Sequence, residues 1–209
     1  MQQTRLYSKY MMLALFCSLG VTGCRDGTAP APVSRAADQL HFIRPAPSAA
    51  ALPDTAVSFW AKRGEDRELR LFYDAQSGTG SGEEFLRFTV PAAALAQRPD
   101  GSAITAGDSV LISVRVIDPS RLIVEFQPSG LKFSAASPAR LRFELGETDS
   151  DLNGDGLVDS GDDTLKTQLS FWRQEAPGQQ WLKVASDVFT DLNEVEANVL
   201  GFTGYALAY

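Results

Sequence analysis

Ser109-Val110-Leu111-Ile112-Ser113-Val114-Arg115-Val116-Ile117, then Asp118-Pro119-Ser120, then Arg121-Leu122-Ile123-Val124-Glu125-Phe126, is the stretch on which the fold turns. The first run is the strongest strand signal in the chain, β-branched and alternating with period two. Asp-Pro-Ser supplies turn chemistry, and the second run pairs back as a hairpin. The same pattern extends outward on both sides. Val57 to Lys62 is strand-like, Arg63 to Asp66 is a turn, and Glu68 to Tyr73 returns with Leu69 and Leu71 on one face. Glu84 to Val90 follows a glycine-rich turn through Gly78, Gly80 and Gly82. That turn has neither the lysine nor the following helix of a phosphate loop. Downstream, Ala139 to Leu145 alternates apolar and charged residues. Gln168 to Arg173 and Gln180 to Val184 flank Ala176-Pro177-Gly178, and Val195 to Tyr209 is β-prone again. Many short strands separated by Gly/Pro turns predict an all-β protein, an antiparallel β-sandwich forming one domain over 55–209.

The N-terminal quarter reads differently. Arg5 and Lys9 precede a short apolar core, Tyr10 to Gly20, which is too short for a membrane span and fits a signal peptide over residues 1–23. Val21-Thr22-Gly23-Cys24 resembles the lipobox of bacterial lipoproteins, which implies lipidation of Cys24 as the new N-terminus. The stretch 24–54 is rich in Ala, Pro and Ser. Pro30, Pro32, Pro45, Pro47 and Pro53 favour extended chain, so it reads as a tether from membrane to domain. Within it, Gln39 to Arg44 is an apolar island expected to dock as an edge strand. The expected location is the cell envelope, periplasm-facing or at the cell surface, with the membrane met only through the lipid anchor.

Two cysteines are present, Cys17 and Cys24. The first leaves with the signal and the second takes the lipid, so the mature domain is expected to hold no disulfide and no catalytic thiol. The net charge is −7, and loss of Arg5 and Lys9 makes the mature chain more acidic still. Such a balance disfavours nucleic acid and anionic lipid surfaces and suits divalent cations.

The one segment with the look of chemistry is Asp151-Leu152-Asn153-Gly154-Asp155-Gly156-Leu157-Val158-Asp159-Ser160-Gly161-Asp162. Its register matches the calcium loop of EF-hands. Asp151, Asn153 and Asp155 supply side-chain oxygens, Leu157 its carbonyl, Asp159 a water-mediated contact, and Asp162 closes the set. Gly156 stands where the backbone must turn sharply. Val158 stands at the place of the apolar anchor that seats such loops. Asp162 replaces the usual bidentate glutamate, which is similar to the dockerin variant. Dockerins carry the loop twice, each copy followed by a helix; here there is one copy, and Thr164 to Leu169 is expected to form at most a short helical turn. Calcium is the cofactor expected, held in a loop inserted between sandwich strands. The bland alternative is an acidic turn, for which Asn-Gly and Asp-Gly pairs are ordinary.

Three further segments resemble the ZU-five domain, a β-sandwich module. They are Phe88-Thr89-Val90-Pro91-Ala92-Ala93-Ala94-Leu95, then Pro128-Ser129-Gly130-Leu131-Lys132-Phe133 with Pro138-Ala139-Arg140-Leu141, and Gly201-Phe202-Thr203-Gly204-Tyr205-Ala206-Leu207. The resemblance spans about Ala56 to Tyr209. Some members of that family cleave themselves at a Phe-Ser bond with help from a histidine. Here Gly201 and Thr203 stand in those places and the single histidine is His41, so no self-cleavage is expected.

The functional expectation is a non-catalytic envelope lipoprotein, a calcium-binding sandwich for contact with an envelope or extracellular protein or glycan. A dockerin-like adaptor for a cohesin-type partner and a carboxylate-based hydrolase are the alternatives. Trp60, Trp172 and Trp181 offer a carbohydrate platform on one reading and cover for a sheet face or edge on the other.

Overall fold

The computed structural model describes residues 31–52, 56–73 and 82–209. The segment read as a signal peptide, Cys24, Asp54 and the glycine run at Gly78 and Gly80, read as a turn, lie outside the described residues. In chain order the strands are β1 (Ser34–Arg35), β2 (Val57–Lys62), β3 (Arg67–Phe72), β4 (Glu84–Val90), β5 (Leu95–Gln97), β6 (Ser109–Asp118) and β7 (Ile123–Gln127). They continue as β8 (Lys132–Phe133), β9 (Ala139–Glu144), β10 (Ser170–Gln174), β11 (Trp181–Lys183), β12 (Ser186–Phe189), β13 (Glu194–Val199) and β14 (Gly204–Ala208). One α-helix, α1 (Ser160–Lys166), lies between β9 and β10.

A seven-stranded sheet runs β1-β11-β10-β14-β7-β6-β2, and a five-stranded sheet runs β12-β13-β9-β4-β3. The short pair β5-β8 stands beside them. All pairings are antiparallel. The two large sheets face each other across one apolar core, as a sandwich. Phe143 of β9 meets Phe171 of β10 edge-on across the layers, with ring centroids 5.0 Å apart. Phe88 packs on Phe126, Phe133 and Phe202 with tilted rings.

The hairpin expected at 109–126 is present as β6 and β7, with Val110, Ile112, Val114 and Val116 inward. Its second strand starts at Ile123 because Leu122 adopts a left-handed backbone, φ 50°, which breaks the ladder. The tail divides into β13 and β14 where Leu200 to Thr203 leave the sheet. Strands β1, β5, β8 and β12 have no clear signal in sequence, being two to four residues long.

The segment read as tether behaves otherwise from Ser34 on. The compact unit begins at Pro32. Strand β1 extends the seven-stranded sheet beside β11. Gln39 to Arg44 forms isolated contacts rather than a strand, with Phe42 bridging Ala208, while Leu40 and Ile43 are buried. Leu40 and Phe42 cover an outer-face cluster of Ile123, Trp172, Trp181, Ala206 and Ala208. The apolar island therefore acts as a lid on the sheet's second face. The buried area repays the extended conformation that its prolines impose.

Tyr73 is buried at the end of β3, its ring against Phe85, and its hydroxyl finds no partner among the described residues. Burial pushes its hydroxyl pKa up. An unpaired buried hydroxyl is a cost, so Tyr73→Phe is expected to raise stability by up to about 1 kcal/mol. A urea melt checks this; a loss of stability would mean that the hydroxyl is bonded.

Candidate functional site

The acidic loop joins β9 of one sheet to β10 of the other, at one end of the sandwich. Its sequence folds it tightly. Gly154 and Gly156 take left-handed backbones, φ 75° and 88°, which a side chain would disfavour. Asp151 turns its carboxylate inward: Oδ1 accepts from the amides of Gly154 and Asp155, and Oδ2 from Gly156 at 2.8 Å. Asn153 accepts from the Asp155 amide, and Asp155 accepts from the Leu157 amide and the Asn153 side chain. Asp159 caps α1 by accepting from Gly161.

Asp162 closes the loop. It is buried, although it is ionisable. Oδ1 accepts from the amides of Leu152 and Asn153, ten and nine residues back, and Oδ2 from that of Asp159. The amides of Asp159 and Asn153, with that of Leu152, hold its carboxyl below the usual carboxylate range. The carboxylate is thus charged whenever the loop is folded at neutral pH.

The loop is also tied to both ends of the compact unit. The Tyr209 hydroxyl donates to the Leu152 carbonyl at 2.5 Å. Ala46 and Asp149 exchange backbone bonds with Glu147 and Arg44. Lys166, in the last turn of α1, reaches Asn193 at 2.5 Å. The apolar seat is not the expected one. Val158 is 70% exposed, whereas Leu152, at the loop's second place, packs against the core. The helix also begins earlier than expected, at Ser160 inside the loop, because Asp159 and Asp162 form a reciprocal capping box.

Among the described residues no three His, Cys, Asp or Glu side chains are gathered as a metal cage. The carboxylates of 151, 155 and 162 face the loop's own amides. The donor chemistry nevertheless suits a hard cation, since Asp151, Asn153, Asp155, the Leu157 carbonyl, Asp159 and Asp162 are all oxygen donors. A carboxylate has about four acceptor positions. Asp151 and Asp162 each accept three amides, which leaves room for a further bond.

A second feature was not legible in the sequence. A broad groove of about 980 Å³ opens beside the loop's far end. It is lined by residues from four separate segments, among them Arg35, Gln39, His41, Gln168, Lys183 and Tyr209. His41 and Tyr209 stack there, ring centroids 5.1 Å apart and 10° from parallel. Of the three tryptophans, Trp172 and Trp181 are buried and Trp60 is 62% exposed, next to Leu111 on the outer face of β2 and β6. Trp172 escapes the alternation rule because the lid covers the second face of its sheet.

The closing segment resembling the ZU-five module packs as the last strand. Phe202, Tyr205 and Leu207 are buried, and the Tyr205 hydroxyl donates to the Gly201 carbonyl. No protein-family model, no curated protein and no solved structure matches this chain.

Proposed function

We propose that this chain is a non-catalytic, calcium-binding β-sandwich of the cell envelope, lipid-anchored through Cys24, which contacts an extracellular or envelope protein or glycan. The observation that carries the reading is the loop 151–162, whose full oxygen register coincides with a compact fold held by three inward carboxylates. An acidic turn needs two or three such residues. This loop has Asp at four of its places and Asn at another, and carboxylates so close repel one another until a cation joins them. The ion would stiffen the loop that ties Tyr209 and the 43–46 segment to the sandwich. The lipobox-like Val21 to Cys24 and the ZU-five-like segments support the envelope setting and the sandwich's role as a contact module.

The dockerin-like alternative gains one observation, a helix that starts in the last places of the loop and runs on past it. That helix spans seven residues and leads back into a strand, so a sandwich with an inserted loop remains the better account. For the hydrolase alternative, the large groove supplies one carboxylate, Asp187, where two facing acids are needed.

The test is the unfolding midpoint of the purified full chain in millimolar calcium and in chelator. A ligand that binds only the native state at a hundred times its Kd adds about 2.7 kcal/mol. A calcium-dependent rise that disappears in Asp155→Ala is expected. No rise, with no binding heat in calorimetry, would reduce the loop to an acidic turn.

A further inference from the structure

We infer that the groove beside the loop binds an anionic saccharide, one bearing carboxylate or phosphate groups. This rests on the glycan arm of the function proposed above and assigns it a site. Charge is the first observation. The chain is acidic at −7, yet Arg35 and Lys183 converge on this groove against a single carboxylate, Asp187. The Arg35 guanidinium and the Lys183 ammonium each lie 5.9 Å from the centroid of the Trp172 ring. Neither forms an ion pair among the described residues, whereas the arginines on the five-stranded sheet's outer face include several that are paired. Two cations held over one buried indole, neither in an ion pair among the described residues, form a place for an anion from outside.

The rest of the lining selects a sugar. Gln39 spends its carbonyl oxygen on the Ala36 amide, and among the described residues its NH₂ is unspent. Gln168 donates weakly to Thr164 at 3.4 Å and keeps its carbonyl free in the same sense. Thr190 adds a hydroxyl. Amides and hydroxyls of this kind pair with sugar hydroxyls, and the half-buried Tyr209 stacked on His41 gives a flat apolar surface for a ring face. The groove's volume, near the top of the usual range for ligand sites, admits an oligomer rather than a single small ion.

The experiment is calorimetry of the full chain with tetragalacturonate, with the same tetramer fully methyl-esterified, and with inorganic phosphate. The acidic tetramer is expected to bind, and the neutral ester at least tenfold more weakly. Arg35→Gln with Lys183→Gln should weaken the acidic tetramer at least tenfold while Arg115→Gln, on the exposed face of β6, leaves it unchanged. Unfolding midpoints of all variants guard against loss of fold, and each groove substitution is also read singly. Equal binding of acid and ester, no binding of either, or phosphate binding as tightly as the tetramer would overturn the assignment. A tetramer that binds but ignores both substitutions would overturn this site and keep the glycan reading. Failure of every sugar, with the calcium response intact, would remove the glycan arm and leave the calcium reading standing.

Discussion

Phe88→Ala lowers stability by about 3–5 kcal/mol, the cost of emptying an aromatic site that its surroundings cannot refill. Phe88 sits on β4 with no exposed surface. Its ring meets Phe126 at 4.9 Å, Phe202 at 5.5 Å and Phe133 at 6.0 Å, centroid to centroid. Those three rings come from β7, from the turn between β13 and β14, and from β8. They also pack on each other, Phe126 on Phe202 at 5.1 Å and Phe133 on Phe202 at 5.0 Å. Each is anchored in hydrogen-bonded backbone of a different element, so none can slide into the space left behind. Urea unfolding should show a lower midpoint at unchanged slope. Phe189→Ala, at a residue 38% exposed, is the control and should stay within about 0.5 kcal/mol. Equal losses at the two sites would refute the single aromatic core described here.

Arg142→Met is expected to cost roughly 2–3 kcal/mol at neutral pH. Arg142 on β9 binds Glu194 at 2.8 Å and Glu196 at 3.1 Å on the neighbouring β13. Glu194 is buried, and an unpaired buried charge is costly. The loss falls below that of a fully buried pair because a quarter of the Arg142 side chain remains in solvent and its Nε is already unpaired among the described residues. Register places Glu194 directly opposite Glu144. Burial first, then Glu194 and Glu84, push the Glu144 carboxyl above its ordinary value. A carboxyl raised in the native state binds a proton there before it does in the unfolded chain, where its pKa is about 4.3. Its contribution therefore improves as pH falls through the native value, and is complete below the unfolded one. The substitution removes a cation that opposes this shift, so the variant's deficit should shrink between pH 8 and pH 5. A deficit that stays constant over that range would mean that the arginine acts through packing alone.

The sandwich was legible wherever alternation ran for five residues or more. β4, β6 and β9 lie within a residue of where Phe88, Ile112 and Leu141 place them, since one-sided burial imposes period two on the sequence itself. The acidic loop was legible for another reason: its register is local, and Gly156 must take a positive φ whatever surrounds it. Val158 and Leu152 mark the limit. Both are apolar loop residues, and only contact with the finished core decides that Leu152 seats the loop while Val158 stays in solvent.

Composition and pattern, then, were enough for an all-β antiparallel protein, for its longer strands and for the position of the acidic loop. Tertiary structure decided what has no local signature. It turned part of an apparent tether into a lid over Trp172 and Trp181, because apolar side chains at Leu40 and Phe42 outweigh the proline-rich context once a sheet face is available. It brought Arg35 and His41 to one groove with Lys183 and Tyr209, more than 140 positions later in the chain. A strand's periodicity is written in neighbouring residues, whereas a groove is written in residues that only pairing between distant strands makes neighbours.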